Sequence, residues 1–206
     1  ETVGDVIHIE EYKHFQFDIT GDFAKDFHDK DKGSYIDSTN LVVRAVKALS
    51  DITNNPPNIK ITLEKNLPLA SGLGGGSSDA ASVIWGLSQL WNLDLQADYL
   101  LPLMTRLGAD VPVCLNCSPT IMRGIGEQLY PAPSTMPETP IVLINPNIHC
   151  STPEIFTRHD RRYKQNTTLP GSFYDIYDFV ETLKHHENDL YAPAIQIAPE
   201  IENVIH

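Results

Sequence analysis

The chain has 206 residues, a formal net charge of -12, 41% hydrophobic and 20% charged residues. That composition suits a globular protein with a core of its own, and its acidity argues against a nucleic-acid or anionic-membrane partner, which needs a basic patch. No apolar run nears the roughly 18 residues that cross a bilayer, there is no signal-peptide pattern, and three cysteines are too few and too odd in number for a disulfide framework, so the expected location is the cytoplasm.

In chain order, Val3 to Glu11 and His14 to Thr20 read as strands, with Ile7 and Ile9 alternating in the first and Phe15, Phe17 and Ile19 in the second. Gly21 to Lys32 is a charged stretch without apolar period. Ser38 or Thr39 is positioned to cap a helix carrying Leu41, Val42, Ala45, Val46 and Leu49 on one face. After the turn Asn54–Pro57, Ile59, Ile61 and Leu63 alternate as a strand, and Ala80, Val83, Ile84, Leu87, Leu90 and Trp91 share a helical face. A further helix carries Leu100, Met104 and Leu107 and closes on Gly108, while Val111 to Leu115 reads as a strand. Proline-rich 131–140 precedes an apparently buried strand, Ile141 to Ile144; residues 158–172 are polar and irregular; Ser172-x-x-Asp175 reads as a capping box for a helix with Ile176, Phe179, Val180 and Leu183. Strands and helices mix without strict alternation, which points to an α+β fold.

Between the third strand and its helix lies Pro68-Leu69-Ala70-Ser71-Gly72-Leu73-Gly74-Gly75-Gly76-Ser77-Ser78-Asp79. Glycines let the backbone take positive φ and come close to a ligand, turning several N–H groups toward one point. The helix that follows adds the positive end of its dipole, so the segment suits a polyphosphate. It is not a P-loop, since no Lys follows the glycines, nor a dinucleotide fingerprint, since position 77 is Ser. A flexible Gly/Ser linker is the plain alternative, and the strong patterning on both sides opposes it.

The order Pro-x-x-x-Gly-Leu-Gly followed by Gly/Ser-Ser resembles the second motif of the galactokinase, homoserine kinase, mevalonate kinase and phosphomevalonate kinase superfamily, the GHMP kinases. Gly108-Ala109-Asp110-Val111-Pro112 extends the resemblance, as do Ser38-Thr39-Asn40-Leu41, Gly124-Ile125-Gly126-Glu127, Ser151-Thr152-Pro153 with Phe156, and Asn188-Asp189-Leu190 with Pro199-Glu200-Ile201. Together these matches run in order from residue 38 to 203 and favour the branch that phosphorylates the 2-hydroxyl of a cytidine diphosphate-linked methylerythritol for isoprenoid synthesis. The resemblance implies a two-lobed fold with the active site between the lobes: an ATP-binding lobe over 1–122, like domain 2 of ribosomal protein S5, and a ferredoxin-like substrate lobe over 123–206, incomplete here. It implies ATP, Mg²⁺ and a cytidine diphosphate-linked polyol as the small-molecule partners; oligomeric state is left open.

Carried onto this sequence, Gly72 to Ser78 would supply the amides for the ATP phosphates within an ATP-binding segment that starts at Pro68, Leu69, Ala70 and Ser71, with Ser77 or Ser78 reaching a phosphate oxygen or Mg²⁺, capping the helix, or both. Asp110 would orient and deprotonate the acceptor hydroxyl; from its neighbours alone it could equally cap the segment after it. Asn40 and Leu41 would line the adenine pocket with the stem of Lys65, against the readings of a helix cap and a solvated charge. Phe156 would stack on cytosine, with Ile125 as an apolar wall and Thr152 as a polar neighbour, although an aromatic at such a position also serves as core. Asp79 gains from the helix dipole and is not taken as catalytic. Cys114-x-x-Cys117 and His149-Cys150 lack a second spaced pair, so no metal site is assigned. The chain lacks the Pro-Ala-Lys-x-Asn-Leu strand, the Gly-Tyr-His segment and the late Ser-Gly-Ser-Gly motif of this branch, so a piece trimmed at both ends, weakly active or inactive, is expected. Two alternatives remain: a GHMP kinase for mevalonate, homoserine or a sugar, and a nucleotide-binding module without chemistry.

Overall fold

The computed structural model describes residues 4–27, 35–36, 38–69, 71–146, 148, 150–160 and 168–205. Val3, Ala70, His149, much of the charged stretch after Phe27 and residues 161–167 therefore lie outside the described residues. Close packing divides the chain into two units. The first comprises Glu1–Leu69, Leu73–Ser118 and Met122–Leu129; the second comprises Ala70–Gly72, Pro119–Ile121 and Tyr130–His206.

The first unit is built on a three-stranded sheet of β1 (Val6–Glu11), β2 (Gln16–Thr20) and β3 (Ile59–Glu64), with β3 central. β1 runs antiparallel to β3 with Ile9 opposite Ile61, and β2 runs parallel to it with Phe17 opposite Ile61. Alternation is what selects this register: Ile59, Ile61 and Leu63 are all buried, and a slip of one residue would turn them to the other face. The parallel β2–β3 pair needs a crossover, which α1 (Leu41–Thr53) supplies. Asn40, not Ser38 or Thr39, is the cap of α1. Its Oδ1 accepts from the amide of Val42 at 2.9 Å, while the hydroxyl of Ser38 accepts from the amide of Asn40.

α2 (Gly75–Leu90) is the central helix of this unit, packing on α1, on β1 and on α4 (Val111–Asn116). It buries Ala80, Val83, Ile84 and Leu87 completely. Gly86 is where helix and sheet approach closest, since a Cβ there would stand 2.6 Å from Cδ1 of Ile9. α3 (Leu100–Leu107) closes on Gly108, whose backbone is extended rather than left-handed and whose N–H donates to the carbonyl of Met104. The expected strand at Val111–Leu115 is a helix. Pro112 explains the change: it cannot donate to a strand ladder, but the first turn of a helix asks for no such donor.

β4 (Thr120–Arg123) and β5 (Gln128–Pro131) pair around the turn 124–127. The second unit carries α5 (Thr152–Arg158), α6 (Ile176–Leu183), α7 (Tyr191–Ile197) and α8 (Glu200–Ile205). The cap of α6 is Asp175, three residues later than expected: its carboxylate accepts from the amide of Asp178, whose own carboxylate accepts from the amide of Tyr174. Ile141–Ile144 is not a buried strand. These residues are 54–83% exposed and pair with no strand among the described residues, so the apolar run alone did not make a sheet.

Leu87→Ala removes a fully buried side chain of α2 from the core of the first unit. It should destabilise the first unit by about 2–5 kcal/mol in urea unfolding, whereas Trp85→Ala on the exposed face of the same helix should cost far less.

Candidate active site

The glycine segment bends into α2 through two residues that use glycine's freedom, Gly72 at φ +74° and Gly74 at φ +70°. Gly74 is the N-cap, so neither Ser77 nor Ser78 caps the helix. The first bond of the turn runs from the amide of Ser78 to the carbonyl of Gly74 at 2.9 Å. The amides of Gly75, Gly76 and Ser77 precede it and take no partner among the described residues, and no described atom lies within 4 Å of where a Cβ on Gly74 would stand. Three free N–H groups at the positive end of a 16-residue helix make a site for anionic oxygen.

Beneath this turn lies a buried ionic cluster. Lys65, 2% exposed, directs its ammonium to the carboxylates of Asp5 and Asp79, the latter at 3.2 Å. A Cβ on Gly75 would stand 3.3 Å from that ammonium, so the charge sits directly under the first residue of α2. The second oxygen of Asp5 accepts from the amides of Asn66 (2.7 Å) and Leu67 (2.8 Å). Lys65 is thus neither a solvated charge nor an open aliphatic face. Asp5 escaped the sequence reading because it lies 60 residues from its partner, ahead of a strand, with no local pattern to mark it. Asp79, 6% exposed, has its pKa raised from 3.8 to about 6, mainly by burial and further by Asp5, with Lys65 opposing.

Asp110 stands at the N-cap position of α4 but makes no side-chain capping bond, and it is exposed. Its segment lies against the start of α2: a Cβ on Gly108 would be 3.6 Å from the hydroxyl of Ser77. The start of α1 meets the same turn, with Cδ1 of Leu41 3.6 Å from where a Cβ of Gly76 would be. Gly126, at φ +113°, abuts the carbonyl of Ala109 so closely that no side chain fits. The turn's tip, Ile125, is 73% exposed, and its N–H donates to the carboxylate of Glu127 at 2.7 Å. A hydrogen bond from its own N–H, and then the one from Ile125, hold Glu127 below the usual carboxylate range.

The start of α1 with Asn40 and Leu41, and the segment 108–110, therefore lie against the start of α2 around Gly74–Ser77, while the 124–127 turn lies against Ala109. Pro68 and Leu69 lead into it half-buried, Leu73 and Ser78 are exposed, and Ser71 and Gly72 fall in the short 70–72 segment assigned to the second unit. Thr152 and Phe156 belong to the second unit, exposed on α5, where Phe156 is 53% accessible and so is not core. Cys114 is a half-buried residue of α4 whose thiol burial pushes up, with Asp110 adding to the effect, and its carbonyl accepts from Cys117. Among the described residues no group of three or more His, Cys, Asp or Glu converges to hold a metal ion, and no helix is long and apolar enough to cross a membrane.

Residues 40–118 match the family described as GHMP kinases N terminal domain. A 4-diphosphocytidyl-2-C-methyl-D-erythritol kinase from Agrobacterium fabrum is 39% identical over 206 residues, an alignment covering 98% of this chain and 67% of the relative. The enzyme of the same name from Granulibacter bethesdensis is 42% identical over 167 residues, covering 81% of this chain and 55% of the relative. The chain spans about half the length of several curated relatives it matches. Among solved structures, a 4-(cytidine 5'-diphospho)-2C-methyl-D-erythritol kinase superposes with a TM-score of 0.63 at 26% identity, covering 98% of this chain and 68% of that one. A homoserine kinase from Cytophaga hutchinsonii, at 16% identity and a TM-score of 0.57 over 78% of this chain and 52% of that one, shares the fold.

Two outcomes test the geometry. Because the pKa of Asp79 is raised on folding, its contribution to stability is complete below pH ~4, is lost as pH rises toward 6, and is level above that. Urea unfolding of wild type against Asp79→Asn should show the wild type losing ground over that interval; a constant difference from pH 4 to 7 would mean Asp79 titrates normally. Gly126→Ala forces a Cβ toward the Ala109 carbonyl at positive φ and should cost about 1–3 kcal/mol, with NMR shifts confined to the turn and residues 108–111.

Proposed function

The chain belongs to the GHMP kinase family, and from that premise we propose that it carries the nucleotide site and acceptor-activating aspartate of an enzyme for ATP-dependent phosphorylation of the 2-hydroxyl of 4-diphosphocytidyl-2-C-methyl-D-erythritol, with weak turnover by these 206 residues alone. The observation that carries the reading is the convergence on the start of α2: unpartnered amides, and an aspartate segment packed on Ser77 whose Ala109 the 124–127 turn abuts. The names of the relatives supply the acceptor.

In this reading the triphosphate lies against the amides of Gly75, Gly76 and Ser77, with Pro68, Leu69 and residues 71–74 forming its approach and Ser78 its flank; Ala70, also expected there, lies outside the described residues. Phosphoryl transfer asks mainly for position and charge stabilisation, which amides fixed before the reaction provide. Asp110 accepts a hydrogen bond from the acceptor hydroxyl. A carboxylate is a far weaker base than an alkoxide, so it takes the proton late, as the new O–P bond forms and the bond to the ADP oxygen breaks, ADP leaving with the electron pair. Mg²⁺ suits the hydroxyls of Ser77 and Ser78, which make no hydrogen bond among the described residues, and would neutralise phosphate charge there. Asn40 has its oxygen committed to Val42, leaving its amide nitrogen to read adenine beside Leu41. Lys65 serves the nucleotide through the loop it underlies. Ile125, Thr152 and Phe156 contact the cytidine diphosphate moiety, Phe156 by stacking. Three unpaired thiols fit a cytoplasmic setting.

Asp110→Asn should lower kcat by about 10²–10⁴-fold while ATP affinity stays within a few-fold, read by coupled ADP release and by fluorescent-nucleotide titration. Equal turnover in variant and wild type would remove the base from the mechanism. Faster phosphorylation of homoserine or mevalonate than of the cytidylated acceptor would reassign the substrate.

A further inference from the structure

Asp5 has no part in the chemistry above, yet it makes three of the contacts that fix the approach to the glycine bend. Its carboxylate is 3% exposed and accepts from the amides of Asn66 and Leu67 and from the ammonium of Lys65. Those residues are the last three before Pro68, where the proposed phosphate segment begins. The backbone of Lys65 is held as well: its N–H donates to the carbonyl of Thr20 at 2.8 Å, and its carbonyl accepts from the amide of Phe23 at 3.1 Å. Gly21 permits this, because a Cβ there would lie 2.6 Å from the Lys65 carbonyl oxygen. On the other side, the ammonium meets Asp79 inside α2 and lies under Gly75, whose Cβ would also stand 3.6 Å from Asp5 Oδ2. One side chain from the start of β1 thus ties together the strand end before the bend and the helix turn after it.

We infer that Asp5 is a positioning residue for nucleotide binding: its carboxylate clasps residues 65–67 and so fixes where the glycine bend starts and where the first amides of α2 stand. The inference rests on the reading of that turn as the phosphate site. Charge-assisted bonds from buried donors are strong and directional, which is what preorganising a loop of glycines requires, since glycines add no side-chain packing of their own. Asp79 anchors the same ammonium from the helix side, but only Asp5 also holds backbone amides.

The test compares Asp5→Ala, which removes every contact, with Asp5→Asn, which keeps an oxygen for the two amides and loses the charge opposite Lys65. In nucleotide-free protein, hydrogen exchange at Asn66, Leu67 and Ser78 should quicken at least about tenfold in Asp5→Ala, the scale of a lost charge-assisted bond, and much less in Asp5→Asn. Exchange in α3 serves as the reference for global opening. Affinity for fluorescent ATP should fall about tenfold or more in Asp5→Ala and about three- to fivefold in Asp5→Asn. Should Asp5→Ala fail to fold, Asp5→Asn carries the test, with quickened exchange at Ser78 and a measurable loss of ATP affinity expected. Unchanged exchange at these amides, or ATP affinity within twofold of wild type in every folded variant, overturns the inference. A wild-type chain that binds no ATP overturns the phosphate-site reading and the nucleotide role of Asp5 with it, while the exchange data still decide whether Asp5 holds the segment.

Discussion

The positive charge of Lys65 is buried, and a buried ammonium is tolerated only with opposite charge and hydrogen bonds around it. Asp5 and Asp79 provide both, and because they come from β1 and α2 while Lys65 follows β3, satisfying one charge fixes three elements against one another. The sheet register, the close passage of α2 over Ile9 at Gly86 and the placing of the glycine turn are all consistent with that single constraint. Two carboxylates around one ammonium leave a surplus negative charge when all are ionised. Burial answers by raising the pKa of Asp79 to about 6, so the cluster sheds its surplus charge at a higher pH than an exposed aspartate would allow.

Above the cluster the design changes from charge to backbone. A net charge of -12 makes the surroundings unfavourable for an anion, and fixed N–H dipoles are a remedy that does not depend on surface cations. The starts of α1, α2 and α4 come together there, and the 124–127 turn leans on Ala109 next to Asp110. Only at Gly126 does the contact exclude a side chain; at Gly76 and Gly108 the neighbours lie at ordinary van der Waals distance.

Much of this was legible beforehand. Strands and helices with clear periodicity, Ile59–Leu63 and the faces of α1 and α2 among them, emerged where expected because alternation and 3.6-residue spacing report burial directly. The glycine bend was legible because its conformational signature is local, whereas Asp110 was singled out only through the family resemblance, its neighbours fitting a cap equally well. What failed was information held elsewhere in the fold. Val111–Leu115 is an apolar run of five that periodicity cannot assign, and Pro112 was the overlooked signal for a helix. Ile141–Ile144 needs a partner strand that its own residues cannot announce. Caps slipped by one to three residues because several neighbouring polar side chains could each do the job. Asp5 and the buried state of Lys65 depend on a pairing across 60 residues, which no local rule detects.

That same long separation bears on the order in which the molecule assembles. The opening residues of α2, Gly-Gly-Ser-Ser, are poor helix formers, so the turn that would face the nucleotide gains little from its own sequence. Its order comes from the cluster below, which exists only once β1 has returned to lie along β3, closing a span of about 60 residues at an entropic cost. The helix body has alanines and leucines of its own to favour it, whereas its first turn draws its order from contacts that require the sheet. A chain caught before β1 has returned would carry most of its secondary structure and have nowhere to seat a phosphate.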